Sequence, residues 1–116
     1  MQKDTVEYCQ RNNILIEAWS PLGSGKMLSN PMLTAMAEKY RKSVAQLCIK
    51  WCLQNGVLPL PKSVTPSRIA ENLEVFDFAI AEEDTREINQ MRFFVVQVCT
   101  LTRFPFRNNQ LTVTPE

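Results

Sequence analysis

The chain has 116 residues, with 13 Lys plus Arg against 12 Asp plus Glu, no His, four Cys and 45% apolar content, which is the make-up expected of one soluble globular unit and not of a multidomain chain. A formal net charge of +1 with dispersed basic residues gives no electrostatic footprint for nucleic acid or an anionic membrane surface. The lack of histidine removes Ser-His-Asp and Cys-His catalysis, histidine-ligated zinc and every imidazole general base at one stroke.

No apolar run approaches the roughly 18 to 20 residues that span a bilayer, and the opening Met1-Gln2-Lys3-Asp4-Thr5-Val6-Glu7-Tyr8 is too polar for a secretory core. The expected compartment is therefore the cytoplasm. Cys9, Cys48, Cys52 and Cys99 contain no Cys-x-x-Cys, and only Cys48 and Cys52 share a helical face. They are expected to be reduced and buried as small apolar side chains, with no metal site; the competing reading is a redox or metal role.

Residues 3–11 read as the end of a helix, stopped by Asn12-Asn13, a pair that tolerates the left-handed conformation. Ile14 to Trp19 has the β-branching and near-continuous hydrophobicity of a buried parallel strand, interrupted by Glu17. Ser20-Pro21-Leu22-Gly23-Ser24-Gly25 breaks that strand and opens a loop to about Ser29. Asn30-Pro31 forms an N-cap and first helical position for a helix whose apolar residues are Met32, Leu33, Met36, Ala37 and Tyr40. Ser43-Val44-Ala45-Gln46 has the form of a capping box, and the helix it opens carries Val44, Leu47, Cys48, Trp51 and Cys52 on one face until Asn55-Gly56.

Val57-Leu58-Pro59-Leu60 is a second short strand, although its proline removes a ladder donor. Thr65-Pro66 repeats the N-cap pattern for a helix to about Leu73, and Glu82, Glu83 and Asp84 suit the positive end of a last helix running to about Met91. This order is that of an α/β protein with a parallel sheet. Residues 93–102 carry a single-run apolar stretch without charge, proline or glycine, which resembles a third strand and an aggregation-prone segment.

The strongest local signal for chemistry is Pro61-Lys62-Ser63-Val64-Thr65-Pro66-Ser67-Arg68, followed by Ile69-Ala70-Glu71-Asn72. A helix N-terminus offers free N–H groups and the positive end of a dipole, and Lys62, Ser63, Thr65 and Arg68 add the donors of a phosphate monoester site. Glu71 and Asn72 supply the acceptor and amide that a purine edge requires. An ordinary capped surface helix is the competing reading. Ser20 to Lys26 could lend N–H groups, two hydroxyls and an ammonium to a pyrophosphate, but it is neither Gly-x-Gly-x-x-Gly nor a P-loop, and a bare surface loop has the same appearance. Trp19 ends a parallel strand, where α/β proteins place ligands.

Taken together, Glu17-Ala18-Trp19-Ser20-Pro21-Leu22-Gly23, Ser43-Val44-Ala45-Gln46 with Trp51, Leu60-Pro61-Lys62-Ser63-Val64-Thr65 and Arg68-Ile69-x-Glu71-Asn72 resemble the C-terminal part of an aldo-keto reductase over residues 1–91. The resemblance implies an incomplete (β/α)8 TIM barrel: the last two barrel strands with their helices, from an oxidoreductase that moves a hydride between NADPH and a carbonyl or alcohol. By it, Trp19 stacks on the nicotinamide, Ser20 and Leu22 serve the pyrophosphate, and Ser24 and Lys26 lie in the loop over it. Lys62, Ser63, Val64, Thr65 and Arg68 belong to the 2′-phosphate segment, with Glu71 and Asn72 at the adenine, so the implied cofactor is NADPH in preference to NADH.

The family's Asp, Tyr, Lys and His tetrad comes from earlier strands, and here there is no His and no Tyr in a matching context, since Tyr8 and Tyr40 fall in predicted helices. No catalytic residue is therefore assigned, and a barrel of about 250 residues cannot be closed by this length. Residues 92–116 match no family segment and read as an unmatched tail, an extra strand or disorder, while Ala81 stands where a capping Ser or Thr is usual. Two functions follow: an NADPH-dependent reductase fragment acting with a complementary N-terminal barrel chain, or a non-catalytic truncated product or nucleotide-binding module. With open strand edges, residues 93–102 are expected to pair with an exposed edge in the same chain or in a neighbour; self-association is expected, and deleting them or changing Val96 to Lys is expected to weaken it.

Overall fold

The computed structural model describes residues 2–91 and 97–103, in which five α-helices and three strands follow one another in α/β order. Helix α1 (Lys3–Arg11) buries Val6 and Cys9 and keeps Lys3, Glu7 and Arg11 in an exposed i,i+4 ladder. Asn12 caps it through an amide that donates to the Tyr8 carbonyl at 2.8 Å, and Asn13 takes the left-handed φ of 53° that the asparagine pair predicts.

Strand β1 (Ile14–Trp19) buries Ile16 and Ala18 against the helices, while Leu15 and Glu17 on the opposite face are half-buried and Trp19 is exposed. Glu17 therefore interrupts nothing: the strand alternates, because only one of its faces is covered by helices. The predicted loop after it is coiled, with Gly23–Ser29 in 3₁₀ turns kinked at Ser24 and Gly25, both at positive φ.

Helix α2 (Pro31–Lys39) starts as predicted, the Asn30 side chain accepting from the Met32 and Leu33 amides at 3.0 and 3.2 Å. Leu33, Met36 and Ala37 are buried, but Met32 is exposed, lying one position off the packed stripe. Helix α3 (Val44–Gln54) carries both halves of its capping box and sends Leu47, Cys48, Trp51 and Cys52 into the core with Ile16, Ala18 and Leu33. Gly56 follows at φ 70°, the left-handed region that favours glycine, and the Gln10 amide donates to the Asn55 carbonyl at 3.0 Å, tying α1 to the end of α3.

Strand β2 is shorter than its apolar run, Leu58–Leu60, and pairs parallel to β1 with Glu17 opposite Leu58, Ala18 opposite Pro59 and Trp19 opposite Leu60. Pro59 is accommodated because β2 forms an edge of the described sheet, where a missing donor need face no neighbour. Strand β3 (Gln97–Arg103) lies antiparallel on the other side of β1, giving the order β2-β1-β3. Residues 93–96 of the apolar stretch and residues 104–116 of the tail lie outside the described residues.

Helix α4 (Pro66–Leu73) has no buried residue, and its Ile69 and Leu73 are exposed. Helix α5 (Glu82–Gln90) is tied back to the core: Ile88 is buried, and the Trp51 indole donates to the Asn89 side chain at 3.0 Å. Among the described residues no helix is long and apolar enough to cross a membrane.

Candidate functional site

Because β1 and β2 run parallel with Trp19 opposite Leu60, the segments leaving both strands emerge at the same end of the sheet. That end is where open and barrel α/β folds place ligands, and it collects the sequence-predicted residues from two successive loops.

The first group follows β1. Trp19, 56% exposed, presents an indole that the chain does not bury, against the usual habit of so large a ring. Ser20 adopts φ 53°, and its hydroxyl accepts the Ser24 N–H at 2.9 Å and lies 3.2 Å from the Ser24 hydroxyl. The Gly23 and Gly25 amides turn inward to the Ser20 and Leu22 carbonyls, each at 2.9 Å. The two serines thus hold the loop together. Leu22 is half-buried against the core and anchors it, while Ser24 and Lys26 stay exposed on its outer side.

The second group follows β2. Lys62, Val64, Thr65 and Arg68 are exposed and Ser63 is half-buried. Thr65 occupies the N-cap position of α4, but its side chain makes no capping bond, so the predicted cap is absent. Ser63 acts one turn earlier, accepting the Thr65 N–H at 3.3 Å and donating to the Thr65 carbonyl at 3.4 Å. The first N–H groups of α4 are consequently left without a side-chain acceptor from Thr65, at the end of the helix where the dipole favours an anion. Lys62, Arg68 and Lys26 take part in none of the five ion pairs found among the described residues. Their charges are uncommitted.

Glu71 and Asn72, in the second turn of α4, are half-buried. Asn72 and Ser63 are the polar members of a mostly apolar cleft of about 480 Å³ between β2, α3 and α4, whose walls include Leu58, Pro59, Ile69 and Phe76. Phe76 was not singled out by sequence; its signal is a large apolar residue standing between Val75 and Asp77, past the end of its helix.

The other titratable groups are structural. Tyr40 lies just past α2, as its C-cap and not within the helix, and its hydroxyl accepts the Ala81 N–H at 2.8 Å while donating to Asp84. Burial, then the Asp84 contact, raise its pKa. Tyr8 is exposed on α1. Cys9, Cys48 and Cys52 are free and buried, and burial pushes the Cys48 and Cys52 thiols up to about 12, far from a reactive thiolate. Among the described residues no cluster of three metal-ligating side chains forms.

The family model described as Aldo/keto reductase family matches residues 1–92. A glyoxal reductase of Bacillus subtilis is 47% identical over 90 residues, covering 78% of this chain and 33% of that protein. A 9,11-endoperoxide prostaglandin H2 reductase of Trypanosoma cruzi is 44% identical over 93 residues, with the same coverage of each. Among solved structures, a mutant of Gox0644 in complex with NADPH superposes with a TM-score of 0.75 at 44% identity, covering 78% of this chain and 34% of its own. The chain spans about a third of the length of the curated relatives it matches.

Proposed function

The chain belongs to the aldo/keto reductase family, strands β1 and β2 with the five helices being a part of that family's TIM-barrel fold, and on that premise we propose that residues 1–91 are the cofactor-holding end of an NADPH-dependent oxidoreductase. The observation that carries the reading is the convergence of an exposed Trp19, uncommitted Lys62 and Arg68 and the open start of α4 at one end of the sheet.

NADPH, when bound, supplies a hydride from its nicotinamide ring to a carbonyl carbon. Trp19 offers that ring a flat apolar face. Ser20, Leu22, Ser24 and Lys26 form a self-bonded loop beside it, with the Lys26 ammonium free to meet pyrophosphate charge. Lys62, Ser63, Val64, Thr65 and Arg68 line the approach to α4, where two cations and unclaimed backbone N–H groups suit a dianionic 2′-phosphate. Asn72 adds a polar group to the wall of the apolar cleft and Glu71 precedes it on α4, the pair we read at the adenine, since a purine base needs both a flat apolar wall and an edge partner.

A proton donor must stand beside the hydride for carbonyl reduction, whereas the Tyr40 hydroxyl is engaged by Asp84 and Ala81 and Tyr8 is exposed on α1. We therefore assign turnover to an assembly with further barrel strands, contributed by a complementary chain segment. Leu60, Ile69 and Leu73 leave apolar surface on β2 and α4 for such strands and helices to cover. The three described free thiols suit a reducing cytoplasm. By itself the chain is read as a nucleotide-binding module without turnover. The substrate does not carry over, since the two relatives above are named for chemically dissimilar compounds.

The test is cofactor preference. NADPH should bind more tightly than NADH to the 116-residue chain, and Arg68→Ala should lower the preference by about tenfold to a hundredfold, the weight of a charge-assisted contact of about 1.5 to 3 kcal/mol. Equal affinities for the two cofactors by calorimetry would remove the site.

A further inference from the structure

In a closed parallel barrel each strand has a parallel neighbour on either side. Strand β1 has one, β2, and on its other side carries β3 antiparallel, with Leu15 opposite Leu101, Ile16 opposite Thr100, Glu17 opposite Cys99, Ala18 opposite Val98 and Trp19 opposite Gln97. An antiparallel strand cannot be a member of that barrel. It nevertheless uses the row of backbone groups along β1 that a second parallel neighbour would need, so the two pairings exclude each other.

We propose that β3 is an edge guard: it closes the outer side of β1 within one chain, and its release opens that edge to a strand of another molecule, a second copy of this chain being the nearest available partner. The pairing is continuous over Leu15 to Trp19 and irregular between Ile14 and Leu15, where the partner steps from Leu101 to Arg103 and one residue of β3 is skipped. A break of this kind gives the strand an end at which peeling begins. The inference rests on sheet topology alone and is independent of cofactor binding. Of the two pairings expected from the sequence it takes the one within the chain, and it reverses only the expected effect of losing the stretch: occupied within its own chain the strand protects an edge, and its loss should promote association.

Two variants of the full chain test this. Glu17→Cys places a thiol opposite Cys99, and directly paired antiparallel residues have Cα separations of about 4.5 to 5.5 Å, within disulfide range. Mild oxidation should give an intrachain 17–99 disulfide, mapped by mass spectrometry, and a chain that sediments as one species at all concentrations. Val98→Pro combined with Cys99→Pro removes two successive N–H groups, one of which faces β1 whatever the local pattern. That variant should shift from a single species to a concentration-dependent mixture. A 17–99 link found only between two molecules would overturn the proposal, as would a proline pair that sediments like the parent chain; because the cross-link needs no disruption of the fold, it decides the matter even if the proline variant is poorly folded.

Discussion

Asp84 is a buried carboxylate, 8% exposed, held by two partners that lie more than forty residues away in sequence. Its Oδ2 accepts from the Lys39 ammonium at 2.7 Å and from the Tyr40 hydroxyl, and that hydroxyl in turn accepts the N–H of Ala81 at the start of α5. Ala81 has no side chain to cap the helix, and Tyr40 reaches across to satisfy it. Tyr40→Phe should therefore cost about 1 to 2 kcal/mol, read as a lowered midpoint in urea, since it leaves a buried acceptor short of a donor and orphans a helix N–H. Hydrogen bonds from Lys39, then Tyr40, hold the Asp84 pKa below the usual carboxylate value. A folded-state pKa below the unfolded one means that this stabilisation is complete above about pH 4 and is lost as pH falls through the unfolded value toward the folded one. Asp84→Asn should flatten the fall in melting temperature below about pH 4. Asp77, also depressed, by Lys42, is exposed on the surface, so its share should vanish in high salt while that of Asp84 persists. In the sequence, Glu82-Glu83-Asp84 reads only as acid at a helix start; the spacing of Asp84 from the buried Ile88 was the available sign that one of the three faces inward.

At the scale of elements, Gln46 joins two helices through one side chain. Its Oε1 accepts the Ser43 N–H at 3.0 Å to complete the capping box of α3, and its Nε2 donates to the carbonyls of Glu71 and Glu74 at 3.0 and 3.3 Å, the last turn of α4. The first role is legible as Ser-x-x-Gln; the second depends on where α4 packs and has no local signature. Ser43→Ala should cost about 1 kcal/mol, as the loss of one cap does, whereas Gln46→Ala should cost about 1 to 2 kcal/mol, because the tie to α4 is lost with the cap while the Glu74 N–H and the Lys42 ammonium still serve the Glu71 and Glu74 carbonyls. Since α4 carries Arg68, Glu71 and Asn72, Gln46→Ala should also weaken NADPH binding, and Ser43→Ala should leave it nearly unchanged at a temperature where both variants are folded. Thr65 shows the opposite limit of local reading: Thr-Pro has the composition of a cap, yet Ser63 takes the loop bond and leaves the helix start open. An uncapped start is unfavourable for the helix alone and suits an anion that arrives later.

For the whole molecule, helix and strand existence was legible because each element has its own period and punctuation, and the candidate site residues could be picked out because they lie in and just after two short consecutive loops. The sheet was not. That β1 shows one helix-covered face and one open face, and that β3 closes its edge, depends on which neighbours are present, and no local pattern records a neighbour. The same consideration separates binding from turnover. The two loops we propose for the cofactor leave β1 and β2 and lie within the described residues, so the proposal expects nucleotide affinity of the chain by itself; proton donation to a carbonyl needs a group poised at the Trp19 end. This chain has no histidine, Tyr40 is engaged by Asp84 and Ala81, Tyr8 is on the outer helix α1, and Lys39 is paired with Asp84. The purified 116-residue chain should therefore bind NADPH, with quenching of Trp19 fluorescence that is lost in Trp19→Phe, and yet oxidise none of it in the presence of glyoxal or another simple aldehyde. Steady loss of NADPH absorbance in a preparation freed of host reductases would show that a proton donor within these residues had been overlooked, and fluorescence unchanged by NADPH would show that the loops are not a site.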